Sequence, residues 1–547
     1  MAIQQERGPA DPPLQTSLKD DPRALAEAAS EDFSLHVVPY TWRMDRGKLM
    51  LAWWGVATAF FYIYFAAFAA LAWGTVNTLI GLGLTVIVYS LVNWVMVRAA
   101  SHSGLTVALF SRSMFGYVGA SIATLIFAAT CIYYWVFEGS VVSVAAQSEF
   151  GGPLKMWYAI VIVATIPLVW RGVRTWMDKF NGWMLPLFIA GMTAVIVWTL
   201  SSHGYHGFLP GSKAAPGTTL PWLQVFSAYM GVWILMMFTF DFARLARPKD
   251  EKFNVTITFG FAYYIMTFVI NGLIGILLVS SFGIDFAGLA GKESELPVDI
   301  VGLTGVLGLL LIAITQFRIN VVNAYLASTN LQSFFSRLFR LNLPRVFWLV
   351  VAGAIGYVLM LTNIFSYVND ALAYQGIAIV AWVAIALTHI GWRALQHQPL
   401  EAQEFRPGRI PAFNPGGIVA WALATGVGLY LKIAVSSTNQ LFATWGLLIT
   451  FGIAAGVYGA SLIGARASWF EMKRAHDPVL EVDDPWEVRV RCHRCDRFFL
   501  AREMDRDPTA NHEAICAECA TGQHFFIAAR HEAAEVLVEP TVRPRSA

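Results

Sequence analysis

The sequence predicts an all-α integral membrane protein with about twelve transmembrane helices, followed by a small zinc-ribbon-like tail. Three observations carry that reading. Of the 547 residues, 56% are hydrophobic and only 14% are charged, where an ordinary soluble domain has about 25% charged residues. Apolar stretches of roughly 20 residues, enough to cross a bilayer core, recur along the chain. Four of the five cysteines fall in two Cys-x-x-Cys pairs near the C-terminal end. A net charge of +2 gives no reason to expect nucleic acid as a partner. The 20 tryptophans suit a chain with two membrane interfaces.

Residues 1–47 are polar and carry Pro9, Pro12, Pro13 and several acids, with no secretory signal. They read as a disordered cytoplasmic arm. Residues 48–465 form the membrane domain. Its apolar segments, numbered one to twelve, are Leu49–Trp73, Thr78–Val97, Val118–Ala146, Met156–Trp170, Phe180–Leu200, Leu223–Phe242, Val255–Phe282, Ile300–Tyr325, Phe347–Leu361, Ile364–Ile390, Gly417–Leu431 and Leu441–Leu462. Segments four and nine are among the shortest and read as tilted or broken. Basic residues alternate along the connections. Arg43, Arg46 and Lys48 precede segment one, and Arg98 and Arg112 follow segment two. Arg171, Arg174 and Lys179 follow segment four, and Arg244, Arg247, Lys249 and Lys252 follow segment six. Arg337, Arg340 and Arg345 follow segment eight, Arg393, Arg406 and Arg409 segment ten, and Arg466, Lys473 and Arg474 segment twelve. The other connections hold little beyond Lys155, Lys213, Lys292 and Lys432. Positive charge stays inside, so a multi-pass protein of the cell (inner or plasma) membrane with both termini cytoplasmic is expected.

An ionisable group inside a membrane segment is costly and marks a functional candidate. Glu138 lies deep in segment three, with apolar sequence on both sides. The plainer reading is a protonated or paired acid that locks helices together. Arg318 lies in the cytoplasmic half of segment eight and cannot lose its charge. It needs an anion, backbone carbonyls or water, or it snorkels to the inner interface. Asp241 ends segment six beside Arg244 and Arg247, where a structural ion pair or gate latch is expected. Aromatic residues share these segments: Phe60, Phe61, Tyr62, Tyr64 and Phe65 in segment one, Tyr133, Tyr134 and Trp135 in segment three, and Trp233 in segment six. Most aromatics in membrane helices are packing. A flat heterocycle, however, wants aromatic faces for stacking and amide or carboxyl groups at its edges. Glu138, Gln316, Asn320 and Asn323 supply the second need.

Gly104-Leu105-Thr106-Val107, followed by Arg112-Ser113-Met114-Phe115-Gly116-Tyr117-Val118-Gly119, resembles the signature between segments two and three of the nucleobase:cation symporters. That family comprises the cytosine, purine, uracil, thiamine, hydantoin and allantoin permeases. Asp241-Phe242-Ala243-Arg244 and the run Asn320 to Tyr325 resemble its segment-six end and its Asn-rich segment eight. The resemblance covers about Val38 to Arg466. It implies a leucine-transporter-like fold, with segments one to five and six to ten as inverted repeats plus two outer segments. Broken segments one and six would offer backbone groups to substrate, and Gly55 and Gly231 permit such breaks. The resemblance further implies that Trp135 or Tyr134 would sandwich the ring with Trp233, and that Glu138 would bond its edge. Phe317 and Arg318 fall where sodium-coupled members place a hydroxyl pair. The expected activity is therefore sodium-independent, proton-coupled import of a cytosine- or purine-like ring, with Glu138 carrying the proton and Arg318 and Asp241 in coupling or gating. A carboxylate prefers an N–H-rich or cationic ring, which disfavours uracil and hydantoin.

In the tail, residues 466–547, Cys492-His493-Arg494-Cys495 and Cys516-Ala517-Glu518-Cys519 are twenty residues apart. That spacing predicts a four-thiolate zinc knuckle, with no structural disulfides in the cytosol. A rubredoxin-like iron site would want Pro and Gly beside its cysteines, which are missing here. His493, His512 and His524 are substitute ligands or plain surface residues. Cys131, in segment three, reads as a small buried apolar residue. The other readings from sequence are a membrane receptor with the tail as output module, an ion channel, and a membrane enzyme, for which no catalytic constellation is visible.

Overall fold

A computed structural model describes residues 11–170, 178–209, 211–285, 295–339, 341, 343–362, 368–435, 440–464 and 469–538. Eight helices in it are long and apolar enough to cross a membrane, and two bent helix pairs bring the number to ten. Two shorter apolar helices, Leu154–Val169 and Arg345–Met360, occupy segments four and nine. All twelve predicted segments are thus helical in their described parts, and the count of twelve crossings rests on those two short ones.

Segments one and six are the bent pairs. Helices Arg46–Thr58 and Phe60–Trp73 meet at 44°, and Pro221–Met230 and Ile234–Ala243 meet at 45°. Each pair breaks in mid-segment: Ala59 has ψ 131, and a tighter turn over Gly231 to Trp233, with i→i+3 hydrogen bonds, separates the two halves of segment six. Segment ten presses on that second break. A Cβ on Gly376 would lie 2.7 Å from the Cα of Gly231 and 3.2 Å from its carbonyl oxygen. Since backbone cannot yield as a side chain does, Gly376→Ala is expected to cost about 1–3 kcal/mol. A lowered thermal midpoint in detergent checks this.

Segment eight departs from expectation. Its main helix runs Val306–Leu338, thirteen residues past the predicted end at Tyr325. Apolarity fades there because buried protein, not lipid, surrounds the last turns: Ser328, Thr329, Asn330, Gln332 and Ser333 are all buried. Segments three, four, eight and nine pack on one another as one group. Segment two packs on six, and the second half of segment one packs on seven, as another. Between segments two and three a short helix, Val107–Phe115, carries the signature sequence, capped by the Thr106 hydroxyl at Leu109 N (3.1 Å). It ends at Gly116, whose φ of +86° and 2.6 Å approach to Phe413 Cα exclude a side chain.

The arm expected to be disordered is structured from Asp11 onwards. Strand β1 (Thr16–Ser17) joins the sheet of the tail, pairing antiparallel with β2 (Arg489–Arg491), which pairs with β3 (Phe498–Leu500). Strands β4 (Met504–Asp507) and β5 (Glu513–Cys516) form a second hairpin. Helix Pro22–Ser30 follows β1, and its Ala24 lies in the core of the tail. Beyond it, Phe33, Val37 and Val38 are buried against the membrane domain. Few apolar residues cannot fold alone, but they suffice to dock on an existing surface. A buried ion network anchors the tail to the loop after segment ten. Arg406 binds Glu404 at 2.6 Å and Asp477 at 2.7 Å, and Arg409 binds Asp477 at 3.1 Å. Burial raises the Glu404 carboxyl, but the adjacent Arg406 guanidinium outweighs it and holds it well below the usual range.

Candidate functional site

Glu138 is 1% exposed, on helix Ala120–Phe150. Gln316 Nε2 of segment eight donates to Glu138 Oε2 at 2.5 Å. The Gln316 carbonyl oxygen in turn accepts from Phe60 N at 3.2 Å. Phe60 is the first residue of the second half of segment one, so a carboxylate, an amide and the open N-terminus of a half-helix form one hydrogen-bonded line. The N-terminal end of a helix favours negative charge and acceptors. Protonation of Glu138 would change what Gln316 can offer to Phe60 N, and so would reach the break directly.

Three carbonyls near this break are engaged by side chains. Asn181 Nδ2 donates to Ala52 O at 2.9 Å, Asn271 Nδ2 to Ala57 O at 2.6 Å, and the Thr58 hydroxyl to Gly55 O at 2.8 Å. Arg318 lies on the face of segment eight that meets segment five, with its guanidinium 6.0 Å from the Phe188 ring. Turn Val56–Thr58 also packs on segment eight. Arg318 is fully buried, and Nε, Nη1 and Nη2 have no hydrogen-bond partner among the described residues. It stands twelve residues after Val306 and twenty before Leu338, about 30 Å from the far end at 1.5 Å per residue.

The aromatic expectations divide. Tyr134 turns towards segment one, with its ring 6.1 Å from Phe61, and its hydroxyl accepts from Gln375 Nε2 at 3.2 Å. Trp135, one residue on, points the other way; its Cη2 lies 3.3 Å from the Cβ position of Gly353 on segment nine. Successive helical residues are about 100° apart, so only one of the two can face segment one. Trp233 sits at the break of segment six but packs edge-on against Tyr89 (6.2 Å) and Phe451 (5.8 Å) of segments two and twelve. No ring contact joins it to Tyr134 or Trp135 among the described residues. Asn320 and Asn323 are buried and meet each other at 3.5 Å. Gly139, next to Glu138, has its Cβ position 3.7 Å from Asn320 Nδ2. Glu138, Gln316, Asn320 and Asn323 are all buried. An apolar recess among Phe115, Met237, Trp382 and Trp421 lies elsewhere.

Asp241 Oδ1 accepts from Val107 N at 2.7 Å and so caps the signature helix. Arg244 turns its guanidinium instead to Asp32 O (2.7 Å), Phe33 O (3.3 Å) and the Tyr325 hydroxyl (3.3 Å). Sequence reasoning passed over Asn181, Asn271 and Gln375. Each is an amide within an apolar segment, and the same cost argument that marked Glu138 applies to them in weaker form.

In the tail, the four Sγ atoms of Cys492, Cys495, Cys516 and Cys519 lie within 4.8 Å of one another. All four are free thiols. Cys516 N and Cys519 N point at the sulfurs of Cys492 and Cys516, each at 3.4 Å. A tetrahedral ion with bonds of about 2.3 Å spaces its sulfurs about 3.8 Å apart, so the cluster fits such a metal. The histidines are engaged elsewhere: His493 pairs with Asp507 at 3.1 Å, His512 stacks on His476 with centroids 4.1 Å apart, and His524 is exposed.

No protein-family model matches this chain, and no curated protein matches it. Solved structures do. Mhp1, a nucleobase-cation-symport-1 family transporter in a closed conformation with bromovinylhydantoin bound, superposes with a TM-score of 0.59 at 13% identity, over 79% of this chain and 96% of that one. Mhp1 in its inward-facing conformation gives 0.59 at 14% identity, over 78% and 93%. A Na+-coupled sialic acid symporter in a substrate-bound outward-open state gives 0.55 at 12% identity, over 81% and 96%. At such identities the likeness speaks for the fold, and the chain has the leucine-transporter-type fold of these three structures.

Proposed function

We propose that this chain is a secondary active transporter that imports a nucleobase-like heterocycle by alternating access, coupled to protons and independent of sodium. The line from Glu138 through Gln316 to Phe60 N carries the reading. It sets a titratable group against the break of a discontinuous helix, where transporters of this fold bind substrate. Tyr134 and Phe61 offer ring surfaces beside it. The hydantoin held by Mhp1 supports a flat ring as ligand class. Glu138 adds a negative acceptor and favours cytosine, a purine or an amine-bearing relative. Arg318, a fixed cation buried within segment eight, supports sodium independence: a second cation nearby would be repelled, and Asn181, Asn271 and Thr58 already bind carbonyls of segment one. The arrangement of basic connections favours cytoplasmic termini.

The deciding measurement is uptake of a labelled nucleobase panel into proteoliposomes under imposed proton or sodium gradients. Accumulation driven by protons alone is the expected result. Accumulation driven only by sodium refutes the coupling, and saturable binding without flux indicates a receptor instead.

The four thiolates are read as a structural zinc site, in which the ion would cross-link β2 to β5. Elemental analysis is expected to give one zinc per full-length chain, lost on Cys492→Ser. The whole chain is the right sample, because the arm contributes a strand and Ala24 to the fold of the tail.

A further inference from the structure

The arm grips both helix groups of the membrane domain at one end. From the first group, Gly104 O after segment two accepts from Val38 N at 3.2 Å, and Arg244 at the end of segment six donates to Asp32 O and Phe33 O. From the second group, Gln332 of segment eight donates to Glu31 Oε2 at 2.6 Å and accepts from the Ser34 hydroxyl at 3.0 Å. Arg345 N, at the start of segment nine, also donates to Glu31 Oε2, at 2.9 Å. Eight residues of arm therefore tie together two groups that must move apart for this face to open.

The conformation of the arm is specific to that grip. Asp32 and Phe33 stand at φ +49° and +55°, a left-handed pair of non-glycine residues. Such residues persist only where their surroundings over-determine them. Here the pair aims two consecutive carbonyls at one fully buried guanidinium. If the arm left, Arg244 would need water in their place, and an open face supplies it. The two states are thus each self-consistent.

The cysteine module holds the other side of the arm. Glu503 takes both His36 Nδ1 (2.7 Å) and Val37 N (3.0 Å). It lies in the turn directly after β3, in the module built around the knuckle. Phe498 N donates to Asp21 Oδ2 at 3.2 Å, Arg497 pairs with Glu27, and β1 lies on β2, which leads straight into Cys492.

We infer that residues 31–38 are a latch across the arm-bearing face, and that a thiophilic divalent cation in the four-cysteine knuckle keeps it shut, making transport responsive to that metal. This rests on the alternating-access reading above. Cys131 is a native reporter. It is fully buried on segment three.

The test is maleimide alkylation of Cys131 in the full-length protein, quantified by peptide mass spectrometry so that knuckle thiols are counted separately. In zinc-loaded wild type, Cys131 is expected to react slowly. Chelation of zinc and Glu503→Ala are each expected to raise the rate roughly tenfold or more, as the loss of charged hydrogen bonds implies. Glu31→Gln is expected to raise it with one zinc still bound and the thermal transition intact. An unchanged rate after chelation, with the arm shown by proteolysis to be released, overturns the latch. So does a rise that occurs only together with loss of the thermal transition. Because no substrate enters this assay, a chain that moves no nucleobase yet shows these rates disproves the transport reading alone. Proton-driven uptake with unchanged Cys131 rates disproves the latch alone.

Discussion

Glu138→Gln is expected to abolish proton-driven accumulation and the pH dependence of uptake, while substrate exchange across the membrane continues at a reduced rate. The substitution keeps the shape of the side chain and an acceptor for Gln316 Nε2. It removes the negative charge and the ability to carry a proton. A hydrogen bond to a charged group contributes about 1.5–3 kcal/mol, so its conversion to a neutral one predicts roughly a 10- to 100-fold loss in exchange rate. Accumulation falls further, because it needs the proton step itself. If Glu138 were only a protonated acid locking segments three and eight together, the amide would serve equally well, and uptake and its pH profile would match wild type. Glu138→Asp separates distance from charge: it keeps a titratable group but draws it away from Gln316, so pH dependence should persist with slower turnover. The measurement is uptake and counterflow in proteoliposomes across pH 5 to 8 (roughly, the range over which a coupled carrier is compared).

What could be read from the sequence followed how local the cause was. The membrane segments were legible because apolarity over about 20 residues is a local property. Glu138 and Arg318 stood out as charges within such stretches. Their surroundings did not, because Gln316 is 178 residues from Glu138 and nothing in either neighbourhood announces the pair. The choice between Tyr134 and Trp135 turned on helix rotation, which a nearly all-apolar segment does not encode. The end of segment eight was not legible because its last turns lie inside protein, where polar side chains are buried and apolarity no longer marks the helix. The arm misled for the same reason in reverse. Its polar composition describes a chain that cannot fold alone, yet its partners, Arg489 to Glu503, lie more than 460 positions away. The cysteine pairs were legible because metal-ligand spacing is short and its chemistry strict.

Arg318→Met is expected to stabilise the protein and to slow transport, two effects of opposite sign from one residue. The guanidinium is always charged, fully buried, and without a hydrogen-bond partner among the described residues. An uncompensated buried ion costs several kcal/mol, and replacing buried charge with an apolar side chain of similar volume commonly gains about 1–4 kcal/mol. The conformation described here bears that cost, and one that lets water reach the guanidinium would relieve it. On the proposed transport reading, the charge biases the protein away from this conformation. Its removal should leave this conformation over-populated; a bias of about 2.7 kcal/mol is a hundredfold change in that equilibrium. Thermal unfolding in detergent should show a raised midpoint, and proteoliposome uptake a fall of roughly 10- to 100-fold, with sodium still giving no stimulation. A destabilised variant would mean that the guanidinium has a strong partner in this conformation, contrary to the geometry. A stabilised variant with wild-type uptake would remove Arg318 from the transport cycle. Only the combination of gained stability and lost flux fits a charge kept in the membrane interior because the cycle uses its desolvation.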